Sequence, residues 1–436
     1  MADATRVDEA ALADVDQAVE ELREERTAFL TELVRFPSVL GQEAGIQRRM
    51  ADAFEGAGLE VDAWDARWDD LRDMAGYSPV DWASEERPLV VGVHRAPSPA
   101  GRSLILNGHV DVVPAGPEAA WRTPPFEPVV REGRMYGRGA GDMKAGLAAN
   151  LFAYRALRHA GFAPAADVTL QSVIEEECSG NGALATVQRG YRADAAVIPE
   201  PFDHTLLIAQ LGVLWLRVTV QGRPTHVLEA TAGADAIQLA WAVIDDLRTL
   251  EADMNRPEAR PEAYRDAVHP INFNVGRIEG GEWPSSVPAS CTFEMRVGLY
   301  PGTSADEMKR TVTERIAAFA ADHPVLRHQP PTLAWVGFHA EPYTIAWDAP
   351  PLPALAEAHR RTVGGTPEAL ASTATTDARI LGHHGIPTTC YGPEARAIHG
   401  LDESVDLESV HQVTRVLARF MAGWCGLRRV DGGAAP

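Results

Sequence analysis

Three adjacent carboxylates, Glu175, Glu176 and Glu177, close the apolar run 168–174. Carboxylates crowded at one point repel one another and resist dehydration. A chain keeps such a cluster where it holds a cation or carries a proton. Four other segments offer partners. The run 103–107 leads into Gly-His-Val-Asp, which places His109 and Asp111; the run 195–198 leads into Pro-Glu-Pro, which places Glu200. The run 387–391 leads through Gly-Pro-Glu towards His399, and Asp142 stands where the Gly-rich stretch 137–144 enters a helical pattern. Two histidines and three carboxylates make a mixed nitrogen and oxygen set, which suits zinc, cobalt or manganese better than magnesium or calcium. Five protein ligands exceed one tetrahedral ion and suit two ions bridged by a carboxylate and a water.

Taken singly, each residue has a plainer reading. His109 reads as a core histidine, Asp142 as a helix cap, Glu200 as part of a surface turn and His399 as solvent-exposed. Asp111 changes the reading of His109, because alternation along a strand puts residues i and i+2 on one side, where a carboxylate can orient an imidazole. What joins the set is the elements that carry it. Apolar runs at 59–64, 89–93, 103–107, 168–174, 195–198 and 387–391 read as strands. Val15, Val19, Leu22, Phe29 and Leu33 keep the spacing of one helix stopped by Pro37. Further helices are expected around Ile46–Met50–Phe54, along Leu147, Leu151, Tyr154 and Leu157, over 354–362 and over 409–424. Strand and helix in alternation predict an α/β fold with a mostly parallel sheet flanked by helices. In such a sheet the C-terminal strand ends share one crevice. The stretch 65–88 lacks periodicity and reads as a long loop whose Trp68, Tyr77 and Trp82 pack an insertion or line a pocket.

The rhythm changes at about residue 212. Strands at 213–220, 272–278, 291–297 and 332–336 alternate with helices at 234–250 and 305–321 in the order βαββαβ, which suits an inserted ferredoxin-like domain. We therefore expect one domain from 1–211 and 344–436 and an inserted one at 212–343.

Composition narrows the partners. Acidic residues outnumber basic ones by 61 to 40, a net charge of −21, which argues against nucleic acid and anionic membrane. No run of 18 apolar residues occurs, and the acidic N-terminal stretch has no apolar signal core, so cytoplasmic residence is the expectation. The four scattered cysteines read as free thiols.

Gly-His-Val-Asp-Val-Val-Pro, Gly-Arg-Gly-Ala-Gly-Asp-Met-Lys-Ala-Gly, Val-Ile-Glu-Glu-Glu, Pro-Glu-Pro and Ala-Ile-His-Gly-Leu-Asp-Glu together resemble the M20 metallopeptidases. The chain is most similar to their acetylornithine deacetylase and succinyl-diaminopimelate desuccinylase branch, along nearly its whole length. The resemblance implies a zinc-peptidase-like catalytic domain holding two zinc ions. Asp142 would bridge them, His109 and Glu200 would complete one, and Glu177 and His399 the other. Glu176 would be the general base and Asp111 the partner of His109. His226, in Gln-Gly-Arg-Pro-Thr-His, matches a histidine that reaches across a homodimer to serve as an oxyanion donor; without the family it reads as a surface residue. Arg296 matches an arginine that holds a substrate carboxylate, and alone reads as a strand-face charge beside Glu294. Thr375 and Thr376 match a segment lining the same site, although the usual glycines are absent.

The implied activity is hydrolysis of the amide bond of an N-acylated amino acid or related small amine. A dipeptidase or carboxypeptidase and an N-formyl-aminopyrimidine deformylase are the alternatives within the family. A non-catalytic binding protein that keeps the fold is the alternative outside enzymes. Ser285 and Ser286 stand where relatives often place Asn before Val-Pro, Gly-Pro-Glu at 392–394 replaces Gly-Pro-Gly, and Glu175 stands where relatives usually have Asp. These departures bear on substrate fit.

Overall fold

The computed structural model describes residues 8–82 and 86–430. Its centre is a six-stranded sheet. In chain order its first five strands are β1 (Glu60–Asp65), β2 (Pro88–His94), β3 (Leu104–His109), β4 (Val168–Val173) and β5 (Ala195–Ile198). The sixth, β10 (Thr388–Cys390), comes from the C-terminal part of the chain, and the spatial order is β1-β2-β4-β3-β5-β10. The first two strands run antiparallel to their neighbours, whereas the β4–β3, β3–β5 and β5–β10 pairs are parallel. β3, β4 and β5 are buried at every residue, which is why they read as unbroken apolar runs.

Helices cover this sheet. α1 (Glu9–Glu21) starts at Asp8, whose side chain accepts from the Ala10 N–H. α2 (Arg23–Val34) follows at once, so the single helix expected over this stretch is two, broken at Leu22. A break that keeps Val15, Val19, Phe29 and Leu33 all in the core leaves the apolar spacing unchanged, so periodicity does not show it. α3 (Ala44–Gly56) buries Ile46, Met50 and Phe54 against β1 and β2. α4 (Ala145–His159) packs on β3 and on the long C-terminal helix α8 (Leu407–Cys425), and α5 (Asn181–Gln188) packs on β4.

Residues 212–340 form a second core of their own. β6 (Gly212–Gln221), α6 (Ala236–Met254), β7 (Phe273–Gly280), β8 (Ser290–Leu299), α7 (Ala305–Asp322) and β9 (Thr332–Ala340) occur in the expected βαββαβ order. The strands form an antiparallel sheet ordered β7-β8-β6-β9. Alternate residues Leu214, Leu216, Val218 and Val220 of β6 and Phe293, Met295 and Val297 of β8 are buried towards the helices. Both helices are capped, α6 by Asp235 and α7 by a reciprocal Ser304–Glu307 pair.

Three small sheets among the described residues were not expected, one of them the antiparallel pair Phe162–Pro164 and Leu427–Arg429. Leu206–Gln210 pairs with Tyr343–Thr344 and Ala369–Ser372, at the junction of the two cores. Val129–Arg131, Arg134–Tyr136, Ala395–Arg396 and Ser404–Asp406 form another, and His399 lies in the connection between its last two strands. Strands of two to five residues carry too few alternations to stand out from loop. Between β1 and β2 the described residues, 66–82 and 86–87, form a loop with one short 3-10 turn, Trp68–Leu71. Among the described residues, no helix is long and apolar enough to cross a membrane.

Candidate active site

The C-terminal ends of β3, β4 and β5 point to one edge and deliver His109, the three glutamates and Glu200 there. The backbone turns sharply after β4: Glu175 has φ +60°, and its carbonyl accepts from the Ser179 and Gly180 N–H groups. That turn allows Glu176 and Glu177 to serve one centre, where an extended segment would point them apart. Asp111 fixes the turn from the neighbouring strand end. Its Oδ1 accepts from the Glu176 N–H at 3.3 Å and its Oδ2 from the Glu177 N–H at 3.1 Å.

His109 is oriented from behind. Its Nδ1 lies 2.9 Å from the Asp111 carbonyl oxygen and 3.6 Å from Asp111 Oδ1. A carbonyl only accepts, so Nδ1 carries the hydrogen. Nε2 faces Asp142 Oδ1 at 3.2 Å. The other Asp142 oxygen, Oδ2, lies 3.3 Å from His399 Nε2, which is also 3.0 Å from Glu177 Oε1. Asp142 thus presents one oxygen to each imidazole, the arrangement of a bridging carboxylate. Asp142 is itself held by its backbone: Glu403 Oε1 accepts from the Gly141 and Asp142 N–H groups, and its Oε2 pairs with Arg138 at 2.6 Å.

Glu176 Oε2 and Glu200 Oε1 each lie 3.9 Å from His109 Nε2. Both glutamates are buried, and Glu176 Oε1 and Glu200 Oε1 have no hydrogen-bond partner among the described residues. Burial pushes both carboxyls well above their usual range; the His109 charge opposes this and neighbouring carboxylates add to it. Burial pulls His109 down, but Asp142 and the charges of Asp111, Glu176 and Glu200 overcome it and hold the imidazole well above its ordinary value. The cluster demands positive charge.

The fit to metal ions follows from the donors. His109, Asp142 and Glu177 offer ligand atoms within 4.8 Å of one another. With its hydrogen on Nδ1, His109 turns a lone pair on Nε2 towards Asp142, and two facing acceptors need a proton or a cation between them. The orphaned oxygens of Glu176 and Glu200 need the same. His109, Asp142, Glu177, Glu200 and His399 form a set that fits two ions.

These residues lie at or line a cavity of about 860 Å³ whose other walls include Trp82, Trp215, Phe338 and Arg296. Arg296, from β8, donates to the Thr373 carbonyl at 3.0 Å, and no carboxylate pairs with it among the described residues. Burial holds its guanidinium below the usual value. Thr375 and Thr376 line the cavity too, but both are tied to Gln210: its Nε2 donates to Thr375 Oγ1 at 3.2 Å, and Thr376 Oγ1 donates to its Oε1 at 2.7 Å. His226 is not brought to the site within this chain. It is exposed, and its Nδ1 accepts from the Leu228 N–H.

Sequence reasoning placed Asp377 and Arg379 only beside Thr375 and Thr376, in the segment expected to line the substrate site, and gave neither a role. Asp377 is buried, neither carboxylate oxygen has a hydrogen-bond partner among the described residues, and burial raises its carboxyl to about 7 against the opposing Arg379 charge. Arg379, also buried, donates to the Thr376 and Ser179 carbonyls. The available signal was two charges beside the apolar Ile380-Leu381 pair.

Residues 105–423 match the model of peptidase family M20/M25/M40, and the chain belongs to that family. It is a hydrolase of amide bonds. It is 31% identical over 443 residues to N-formyl-4-amino-5-aminomethyl-2-methylpyrimidine deformylase of Halalkalibacterium halodurans, covering 96% of this chain and 97% of that one. It is 29% identical over 399 residues to succinyl-diaminopimelate desuccinylase of Halorhodospira halophila, covering 88% and 94%. Human carnosine dipeptidase 1 shares the fold, with a TM-score of 0.72 at 18% identity over 95% of this chain and 99% of its own.

Proposed function

We propose that the chain is a two-metal deacylase that removes the acyl group from the nitrogen of a small amine. The observation that carries this is the set of carboxylates and imidazoles gathered at the cavity, with His109, Glu176 and Glu200 buried, His399 exposed at the rim, and one carboxylate, Asp142, facing both imidazoles. His109 and Glu200 would hold one ion, Glu177 and His399 the other, with Asp142 between them. Bound there, two zinc ions, or cobalt or manganese, would polarise the amide carbonyl and acidify a water.

The chain's own residues do the rest. Glu176, buried at the cavity with one free oxygen, takes a proton from the attacking water and returns it to the leaving nitrogen. Burial raises its carboxyl, which suits a group that must both accept and release a proton. Asp111 keeps His109 in one tautomer and pins the backbone of Glu176 and Glu177. Arg296 holds a substrate carboxylate, because it is a cation at the cavity that pairs with no carboxylate among the described residues. Thr375 and Thr376 shape the wall beside it.

The 212–343 unit serves as the dimerisation and lid domain of a cytoplasmic homodimer. Val227, Leu228, Ile278 and Trp283 are exposed apolar residues on that unit, close in sequence to His226 or to the Ser286 that bridges to it. In the dimer His226 donates to the oxyanion in the site of a second copy.

A second reading, N-formyl-aminopyrimidine deformylase, is favoured by the aromatic walls Trp82, Trp215 and Phe338 and by the 31% identical relative. The deciding experiment measures turnover of N-formyl-aminomethylpyrimidine, N-acetyl and N-succinyl amino acids and dipeptides by enzyme reconstituted with zinc or cobalt. Turnover of N-acyl amino acids supports the first reading, and confinement to the formylpyrimidine supports the second. No turnover of any N-acyl amine refutes both.

A further inference from the structure

Glu175, the strand-end glutamate with no part in the chemistry above, begins a chain of contacts that reaches the cavity wall. Its Oε1 accepts from Trp68 Nε1 at 3.0 Å and from Trp82 Nε1 at 3.4 Å, and its Oε2 accepts from Ser179 Oγ at 2.7 Å. Arg87 lies 3.9 Å away and its guanidinium sits 5.3 Å from the centre of the Trp68 ring. An indole N–H can only donate. One buried carboxylate between two indoles therefore fixes the edge of both rings. Trp82 lines the cavity, together with Trp215 and Phe338, which meet edge to face at 5.3 Å.

The segment that carries Trp82 is clamped from both sides. Towards the central sheet, the Ser78 N–H donates to Asn181 Oδ1, Asn181 Nδ2 donates to the Ser78 carbonyl, and Ser78 Oγ donates to the Ser179 carbonyl. Towards the inserted unit, the Gly337 N–H donates to the Pro79 carbonyl at 2.7 Å, the His339 N–H donates to Ser78 Oγ at 3.1 Å, and Arg217 pairs with Asp81. Residues 78–82 thus form a strap from the floor of the site to β9. A loop packed only to fill surface space needs no such double anchoring. Holding one large ring at the cavity accounts for it.

We propose that Trp82 is a specificity-determining residue that selects substrates bearing a planar aromatic group, and that Glu175 is the positioning residue that holds its indole at the wall. The inference rests on the deacylase reading for the reaction, while binding alone carries its test. Contact between aromatic rings adds a factor of about two to ten beyond burial of equal area. A saturated ring of the same size gains the burial without that factor.

The test is titration calorimetry of the metal-loaded enzyme with benzylamine and with cyclohexylmethylamine, as stand-ins for leaving amines. The wild-type protein should prefer benzylamine by about fivefold. Trp82→Phe should keep most of that preference and Trp82→Ala should lose it. Glu175→Ala should lose it as well, because the indole is released. Glu175→Gln, which still offers an oxygen to both indoles, should give an intermediate ratio. A ratio unmoved by Trp82→Ala, or no preference in the wild-type protein, overturns the proposal. If Glu175→Ala does not fold, Glu175→Gln decides: a ratio equal to wild type overturns the part given to Glu175. Absence of turnover with every N-acyl amine refutes the deacylase reading and leaves this ratio untouched.

Discussion

Replacing Glu176 by Gln isolates proton transfer from every other property of the site. One oxygen of this carboxylate is 3.9 Å from His109 Nε2 and the other has no partner among the described residues, so the isosteric amide breaks no protein hydrogen bond. What it removes is the ability to take and return a proton. A positioned acid–base group contributes about 10²–10⁴ in rate. We expect kcat to fall about a thousandfold, equivalent to about 4 kcal/mol of barrier. Stability should move the other way. Burial disfavours the Glu176 charge, the His109 charge opposes this only in part, and Glu200, Asp377 and Glu177 add like-charge repulsion. The metal-free variant should therefore melt no lower than the metal-free parent. The assay is steady-state hydrolysis of the best N-acyl substrate at matched metal content, with a thermal scan of both metal-free proteins. A kcat within tenfold of the parent refutes the assignment, and loss of a bound ion would make Glu176 a ligand instead.

Arg296→Ala should lower kcat/KM for carboxylate-bearing substrates about tenfold to a hundredfold relative to substrates without a carboxylate, the range for a lost charged hydrogen bond; an unchanged ratio in competition assays counts against that role. Chelation should lower the melting temperature by a few degrees, because ligands that bind only the folded state stabilise it. By elemental analysis His399→Ala should hold one ion where the parent holds two, and retention of both removes His399 from the ligand set. Glu43 gives a pH dependence outside the ligand set: burial, then the Asp111 charge, raises its carboxyl from 4.5 to about 8. The folded protein keeps a proton there that the unfolded chain has lost, so stability falls as pH rises from about 4.5 to about 8. Denaturant titrations of Glu43→Gln across that window should show a flatter profile, and an identical slope refutes the assignment.

The parallel strands and the βαββαβ unit were legible because each run is either wholly buried or strictly alternating, as in β4 and β6. The convergence of His109, Glu177 and Glu200 followed from their places at the ends of adjacent parallel strands. Other features depend on contacts distant in sequence. The turn at Glu175 shows only as a turn-rich sequence after it, while its positive φ is sustained by the Asp111 carboxylate from another strand. Glu403, which anchors Asp142 from 261 residues away, looks like any surface acid until Arg138 is found beside it. The role of Glu175 lay in a stretch without periodicity, where spacing carries no signal.

His399 comes 222 residues after Glu177, its partner at the site. α1, far from it in sequence, packs on α8, with Asp16 paired to Arg415 and Arg419. A growing chain therefore exposes its first helix until its last one has been made, and the donors near residues 109–200 wait for the final one. Long-range closure of this kind is slow compared with local helix formation. If Glu177 and His399 hold one of the two ions, as proposed, that ion would join only once His399 has been made. On that reading, a chain cut short before His399 would carry less metal than the full one.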